Sequence, residues 1–391
     1  MGTGIGAVPS RPKDPPMSPL FSPHAIGPLT LANRIVIAPM CQYSAIDGVP
    51  QPWHWQHLGR LAISGAAAVI VEATGVEAAG RITPGDTGLW NDAQEAAFTR
   101  LLADIRTYAD TPIGIQLAHT GRKASTTPPW IDRGRALTAA EGAWATVAPS
   151  AIAFRDDWHT PAELDAAGMD RVVDAFVQAA GRADRAGFDL VELHAAHGYL
   201  LSEFLSPLSN HRTDAYGGSA ENRMRFPLRV AEALRQAWPR TKALGARFNG
   251  SDWVEGGVPL EEVQVFSQRL TAMGYDYLHL SSGGNVARAQ IPGDQPGYQL
   301  PFAEAVKVAV PETTVMAVGM IVTPQQAEAV ITSGQADLVA IARAALDDPH
   351  WAHHAAVALG QPERLPNPYA RASDETWPGY GLAHAQFEGR S

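Results

Sequence analysis

The sequence contains very little cysteine. Cys41 is the only one among 391 residues, which excludes an internal disulfide, a four-cysteine zinc site and a four-cysteine iron–sulfur cluster. A single cysteine is compatible with a reducing compartment, and we expect the protein to be cytoplasmic.

Positive charge and long hydrophobic runs are also scarce. Lysine and arginine number 30 against 40 acidic residues, whereas nucleic-acid-binding proteins usually carry a basic surface. The most apolar stretch, residues 61–73, contains Ser64 and Gly65 and is too short to span a bilayer. Residues 1–17 lack the apolar core of a signal peptide. We therefore expect neither a nucleic-acid partner nor a membrane association.

Glycine and proline, in contrast, are abundant, with 36 and 30 copies. This excess indicates many loops, but it is too scattered for a disordered or collagen-like chain. We interpret residues 1–17 as a flexible leader, residues 18–365 as one domain and residues 366–391 as a C-terminal tail.

Short apolar runs alternate with segments of helical periodicity along the predicted domain. The runs are apolar on both faces, as expected of parallel strands that are buried on both sides. The intervening segments repeat apolar residues at helical spacing, as in Val172, Val173, Phe176 and Val177. Eight strands are predicted in this way: Ile35–Ala38, Ala68–Glu72, Ile113–Leu117, Leu190–His194, Leu244–Phe248, Tyr277–Leu280, Val315–Val318 and Leu338–Ile341.

Eight strands alternating with helices predict an α/β fold, namely a (β/α)₈ TIM barrel. The alternative is an open, doubly wound sheet, although no G-x-G-x-x-G motif follows the first strand. Residues 118–160 form a long, loop-like excursion after strand 3, and the segment from Ala162 to Ala186 is predicted to be helical. Such an excursion is either a lid or pocket wall, or a structural insert.

A cluster of chemically active residues follows strand 4. Chemistry in a TIM barrel takes place at the C-terminal ends of the strands, where this sequence has His194, His197 and Tyr199. Two imidazoles can donate hydrogen bonds to one substrate oxygen, and a nearby tyrosine can deliver a proton. The histidines also form a candidate zinc pair, but the spacing is not that of H-E-x-x-H and no third ligand is obvious.

Residues suited to a phosphate follow strands 7 and 8. Gly319 allows a close backbone approach and Arg343 supplies a charged fork, at the place where barrels often bind phosphate. We therefore expect a phosphorylated ligand or cofactor. In the alternative, Arg343 forms an ion pair with Asp347 or Asp348.

At these residues the sequence resembles the Old Yellow Enzyme family of flavin-dependent ene-reductases, in particular its bacterial xenobiotic-reductase and thermophilic-like subclass. The resemblance extends from about Pro19 to Tyr369. Its most specific stretches are HAAHGYL at 194–200, FLSP at 204–207, N-x-R-T-D-x-Y-G-G-S-x-E-N-R at 210–223 and APMCQYS at 38–44.

The resemblance implies a TIM barrel that holds FMN without a covalent bond. Gln116 would hydrogen-bond the pyrimidine edge, and Arg247 would stabilise the anionic reduced flavin near N1 and O2. The residues that would hold the phosphate are Gly319, Ala342 and Arg343. Those that would line the flavin are Pro39, Met40, Cys41 and Ala73.

The implied reaction passes a hydride from NADPH or NADH through FMN to Cβ of an activated alkene, such as an α,β-unsaturated carbonyl or a nitro compound. His194 and His197 would bind the activating oxygen, and Tyr199 would protonate Cα. Cys41 would tune the flavin, unless it is a small apolar filler. Tyr43 would position substrate or nicotinamide, unless it is a rim aromatic.

The resemblance also implies a homo-oligomer, a dimer or larger, in which Trp377 of the tail would complete a neighbouring active site. The alternative is a loose or self-packed tail. Two other functions are considered: a metal-dependent barrel hydrolase that uses His194 and His197, and a phosphate-ligand binder without activity. The sequence does not specify the physiological substrate.

Overall fold

The computed structural model describes residues 17–362 and 365–388. Within these ranges, eight parallel strands close into one barrel, as predicted. The first 16 residues of the predicted leader lie outside the described residues. In barrel order the strands are β3 (Ile35–Ile37), β4 (Ala68–Gly75), β5 (Ile113–Ala118), β8 (Leu190–Ala195), β9 (Ala243–Asn249), β10 (Tyr277–Ser281), β11 (Thr314–Ala317) and β12 (Leu338–Ile341).

Every residue of these eight strands is buried, which explains their apolar sequences. Side chains on one face fill the barrel interior, and those on the other face pack against the helices. A hairpin of β1 (His24–Ile26) and β2 (Leu29–Leu31) packs Ile26 and Leu31 on the interior cluster. The hairpin lies at the N-terminal ends of the strands, where Gly27 contacts Asp276 just before β10.

The helices begin and end where local signals place them. The Asn91 side chain accepts a hydrogen bond from the Gln94 backbone at the start of one helix, and Gly187 ends another in a left-handed conformation. The described helices are α1 (Pro52–Ala62), α2 (Asp92–Ile105), α3 (Ala166–Ala186), α4 (Leu200–Leu205), α5 (Ala220–Ala237), α6 (Leu260–Ala272), α7 (Leu300–Ala309), α8 (Pro324–Thr332), α9 (Arg343–Asp347), α10 (Trp351–Ala358) and α11 (Tyr380–Glu388).

The excursion after β5 contains some secondary structure of its own. Two short strands, β6 (Val147–Ala148) and β7 (Ala162–Glu163), pair in parallel, so the prediction of a helix starting at Ala162 was wrong. The helix α3 begins at Ala166 because the Asp165 side chain accepts a hydrogen bond from the Gly168 backbone and caps it.

The tail folds back onto the last barrel helices. A short 3₁₀ turn spans Asn367–Ala372, and α11 packs against α10. No helix in the described part of the chain combines the length and the apolarity needed to cross a membrane.

Candidate active site

A tight turn after β8 brings the three predicted catalytic side chains together. His197 and Gly198 both have positive φ angles, 60° and 70°. A Cβ atom on Gly198 would lie 2.3 Å from the carbonyl oxygen of Gly284, so only glycine allows this approach to the loop after β10. The ring centres of His194 and His197 are 5.1 Å apart, and those of His194 and Tyr199 are 4.8 Å apart.

The hydrogen bonds of the two histidines fix the tautomer of His194 and allow either tautomer of His197. Nδ1 of His194 accepts from the Ala196 backbone N–H at 3.1 Å, so its proton is on Nε2. This Nε2 lies 3.3 Å from Nδ1 of His197, whose Nε2 lies 2.7 Å from the Ser281 hydroxyl. A hydroxyl can donate or accept, so His197 can hold its proton on either nitrogen.

Both imidazoles are neutral at neutral pH, and the phenol stays protonated. Burial lowers the pKa values of His194 and His197, and the positive charge of Arg247 lowers them further. Burial also raises the pKa of Tyr199 well above its ordinary value. The cluster can therefore donate hydrogen bonds and a proton without carrying charge.

Lys123 belongs to this cluster although sequence reasoning did not find it. Its Nζ donates to the carbonyl oxygens of His197 and Gly284, both at 2.8 Å, and it lies 5.2 Å from the Tyr199 ring centre. Burial lowers the pKa of Lys123 to about 8. Lys123 follows β5, so the excursion supplies part of the wall of the site. Nothing in the sequence distinguishes it from a surface lysine.

The segment after β3 is held against the same end of the barrel. Glu72 of β4 accepts a hydrogen bond from the Gln42 backbone at 2.7 Å and another from His54 at 3.1 Å. This anchors the loop that carries Pro39 and Met40, which are partly buried. Sequence reasoning missed this glutamate–histidine pair because its members are 18 residues apart.

Cys41 and Tyr43 lie on this anchored loop. Burial raises the pKa of the Cys41 thiol, and the negative charges of Glu72 and Asp86 raise it further, so the group is a neutral thiol. Tyr43 has a φ of 50° and packs edge-on against Trp130 of the excursion, with ring centres 5.5 Å apart. Burial raises the pKa of Tyr199 and Cys41 raises it further, and burial, Cys41 and Tyr199 raise that of Tyr43, so the three groups lie close together.

Strand register places the other predicted residues around the same opening. Ala73 pairs with Gln116, and His194 pairs with Arg247. Gln116 donates its amide hydrogen to Glu192 at 2.7 Å. Arg247 lies 3.4 Å from the Ser281 hydroxyl, and its Nε atom is buried without a hydrogen-bond partner in the described structure. Orphaned donors of this kind are uncommon in protein interiors and mark a place for a ligand.

The predicted phosphate residues lie next to β11 and β12. Gly319 has a φ of 117°, and a Cβ atom there would lie 2.4 Å from the Gln299 amide. Ala342 directly precedes α9. Arg343 is exposed and forms no ion pair among the described residues, because Asp348 pairs instead with His354. The alternative pairing of Arg343 with Asp347 or Asp348 is therefore not present in this structure.

Comparison with known proteins gives a consistent match. Residues 19–361 match the model of the NADH:flavin oxidoreductase / NADH oxidase family. The NADPH dehydrogenase of Bacillus velezensis is 42% identical over 355 residues, which cover 90% of this chain and 98% of that protein. The chain belongs to this flavoprotein family.

Solved structures agree with this assignment. Morphinone reductase is 29% identical, with a TM-score of 0.72 over 90% of this chain and 92% of its own. Morphinone reductase has also been solved in complex with tetrahydroNAD, with 29% identity and a TM-score of 0.70 over 89% of this chain and 93% of that one. The resemblance to the Old Yellow Enzyme family is confirmed, and so is the TIM barrel. The protein is an NAD(P)H-dependent flavin oxidoreductase with FMN as its cofactor.

Trp377 is the one predicted site residue that lies away from the barrel mouth of its own chain. It packs against Tyr380 of α11 and lines a surface pocket together with His350, which precedes α10, and His354 of α10. No hydrogen bond or ring contact among the described residues joins it to His194 or Tyr199. Its side chain is 42% exposed, and the tail that carries it lies beyond the residues that match the family model.

Proposed function

We propose that this flavin oxidoreductase is an ene-reductase, which delivers a hydride to Cβ of an activated alkene while Tyr199 protonates Cα. The observation that carries this proposal is the convergence of His194 Nε2 and His197 Nδ1, 3.3 Å apart, beside a phenol that stays protonated. Two donors aimed at one point suit the oxygen of an α,β-unsaturated carbonyl or of a nitro group.

The residues at the barrel mouth fit FMN. The unpartnered Nε of Arg247 offers a charged donor, and the Gln116 amide, oriented by its bond to Glu192, offers its carbonyl oxygen as an acceptor. Pro39, Met40, Cys41 and Ala73 would line the flavin, and Gly319, Ala342 and Arg343 would hold its phosphate. When bound, FMN accepts a hydride from NADPH or NADH and passes it to the alkene.

The protein's own residues would polarise the substrate and supply the proton. His194 donates from Nε2 in its fixed tautomer. His197 donates from Nδ1 when the Ser281 hydroxyl turns to donate to its Nε2. Negative charge that develops on the substrate oxygen is then held by two neutral donors. Tyr199 gives its proton to Cα, and Lys123 below the ring keeps the turn in place through two carbonyl groups.

Cys41 and Tyr43 are proposed to act next to the cofactor. The thiol is neutral, so it would tune the flavin through its polarisability and not through a full charge. Tyr43, held by Trp130, would position the substrate or the nicotinamide. Family membership gives no support to the alternative of a metal-dependent hydrolase using His194 and His197.

The decisive experiment separates the two halves of the reaction. We expect Tyr199→Phe to keep FMN and its reduction by NADPH, but to slow alkene reduction by about 10²- to 10⁴-fold, the usual contribution of a general acid. Stopped-flow absorbance of the flavin measures both halves. Reoxidation by 2-cyclohexenone at the wild-type rate would disprove the role of Tyr199 as proton donor.

We propose that the protein is a cytoplasmic homo-oligomer and that Trp377 reaches a neighbouring active site. Two observations support this role: the Trp377 side chain is exposed, and it lies in the tail that follows the residues matching the family model. Trp377→Ala should lower turnover in an oligomer whose size, measured by analytical ultracentrifugation, is unchanged.

A further inference from the structure

Four buried polar side chains form a cluster in the barrel interior that the proposed reaction uses only in part. They are Gln116 of β5, Glu192 of β8, Arg247 of β9 and His279 of β10. Glu192 precedes His194 by two residues on the same strand, so both side chains face the interior and Glu192 lies one layer deeper. Neither Glu192 nor His279 has a role in the hydride or proton steps.

Glu192 is bound on both of its oxygens. Gln116 donates to Oε1 at 2.7 Å, and His279 Nδ1 donates to Oε2 at 2.9 Å. An amide has one donor end and one acceptor end, and Glu192 engages the donor end of Gln116. The carboxylate therefore fixes which end of the Gln116 amide carries the carbonyl oxygen, and leaves that oxygen and the second amide hydrogen for a ligand.

Glu192 also carries the negative charge of this cluster. Burial alone would raise its pKa, but His279, Arg247 and the Gln116 amide together keep the pKa of Glu192 below its ordinary value. Burial and the charge of Arg247 lower the pKa of His279, so the imidazole is a neutral donor. This cluster in the barrel interior thus holds one carboxylate and one guanidinium.

These two charges are not joined in an ion pair. No Arg247–Glu192 contact within 4 Å occurs in the described structure, and Arg247 Nη2 reaches only the Ser281 hydroxyl. Arg247 is therefore positioned to act on a ligand at the barrel mouth, while the carboxylate below it offsets part of its charge. Charges in a buried site are weakly screened, so the carboxylate also lowers the positive potential that Arg247 produces at the position of the ligand.

We propose that Glu192 is a positioning residue for FMN, which orients the Gln116 amide and, by offsetting the charge of Arg247, lowers the reduction potential of the bound flavin. Two electrons and one proton added to the flavin leave a negative charge at its pyrimidine edge. Arg247 stabilises that charge, and the Glu192 carboxylate opposes it.

The test is the midpoint potential of Glu192→Gln with FMN bound, measured by spectroelectrochemistry. Glutamine lacks the charge but can still accept from Gln116, and its NH₂ group can donate to His279 Nδ1 once His279 carries its proton on the unpartnered Nε2. We expect reduced FMN to gain about tenfold in affinity relative to oxidised FMN, which raises the potential by about 30 mV for a two-electron couple. Dissociation constants of the two redox states, measured by fluorescence and anaerobic titration, must change in the same ratio.

Two controls separate charge from general disturbance. His279→Asn keeps a donor for Glu192 and the carboxylate itself, so its potential should equal that of the wild type. Glu77→Gln alters another glutamate–histidine pair, in which Glu77 Oε1 lies 2.9 Å from His119 Nε2. This variant should also leave the potential unchanged. If Glu192→Gln does not fold, the E192M/H279F double variant removes the same charge with apolar groups and must show the same upward shift.

The proposal is overturned by either of two results. One is a Glu192→Gln protein that binds both redox states of FMN more weakly by the same factor, since Glu192 would then be only structural. The other is a shift in His279→Asn as large as that in Glu192→Gln.

Discussion

The two ends of the barrel pair their polar and charged groups in different ways. At the N-terminal end, Asp189, Asp276 and Asp337 each directly precede a strand, and each accepts a hydrogen bond from the first residues of the neighbouring strand. Each aspartate also has a cation beside it. The three cations are Arg106 at 3.0 Å, Arg235 at 3.8 Å and Lys307 at 2.6 Å.

At the C-terminal end, polar groups are buried without being fully paired. Arg247 Nε and His279 Nε2 have no hydrogen-bond partner in the described structure, and the side chains of His194 and His197 contact each other and Ser281. The aspartates at one end all have partners and stabilise the sheet, although Arg235 Nε has none, whereas the unpartnered donors at the other end are available to a ligand. The comparison predicts that substitutions at the two ends affect different properties.

The largest effect in this comparison of the two ends is expected from His194→Ala at the C-terminal end. Loss of one of two donors to the substrate oxygen should lower kcat/KM for alkene reduction by about 10²- to 10³-fold. The rate of flavin reduction by NADPH should change much less, since that step develops no charge on the alkene oxygen. Steady-state and stopped-flow kinetics measure both, and an equal loss in the two steps would contradict the assignment.

A substitution at the N-terminal end should show the reverse. Asp337→Ala removes the acceptor for the Val315 N–H and the partner of Lys307. We expect the free energy of unfolding to fall by about 1–3 kcal/mol, as for other buried groups left unpaired. Urea denaturation measures this loss, and kcat at 25 °C should stay at the wild-type value. A large fall in kcat would show that the two ends of the barrel do not contribute independently to stability and activity.

Acid should destabilise the protein partly through the C-terminal end. The folded-state pKa values of His194 and His197 lie below 6.5, so below that pH the unfolded chain binds protons that the folded chain does not. Stability should therefore fall by up to about 1.4 kcal/mol per pH unit for each histidine as pH drops below about 6.5.

Thermal unfolding between pH 7.5 and 5.5 checks this prediction. His57 is the matched control, because burial lowers its pKa to about 4 although it lies on α1 and is not among the proposed site residues. His57→Gln and His194→Asn should each reduce the acid sensitivity by similar amounts. Only His194→Asn should also reduce activity.

The smallest effect is expected from Ser281→Ala. This change removes the hydroxyl that lets His197 place its proton on Nδ1. We expect KM for the alkene to rise by about tenfold, consistent with the loss of one hydrogen bond, with FMN content unchanged. Ser281→Thr, which keeps the hydroxyl, should restore most of the affinity. A Thr variant as weak as the Ala variant would point to packing and not to the tautomer.

The sequence predicted the barrel well because its signals are local. All eight predicted barrel strands are present, and their ends differ from the prediction by a few residues at most. The one helix boundary that was wrong, at Ala162, depends on pairing with Val147 across 15 residues of excursion. Periodicity carries no information about such pairing.

The site was predicted only in part, for the same reason. His194, His197 and Tyr199 are close in the chain, so one strand end was enough to find them. Lys123 bonds to His197, 74 residues away in the chain, and Glu192 bonds to Gln116, 76 residues away. Strand order and register bring such pairs together, and neither is written in any single segment.

The sequence by itself determined a loop-rich α/β barrel with its reactive residues at one end, because buried parallel strands and helical faces each leave a short-range pattern. The tertiary structure decided which tautomer His194 adopts, that Cys41 is a neutral thiol, and that Arg247 keeps a free donor above the Glu192 carboxylate. These properties depend on burial and on charges from other strands, which exist only once the barrel has closed.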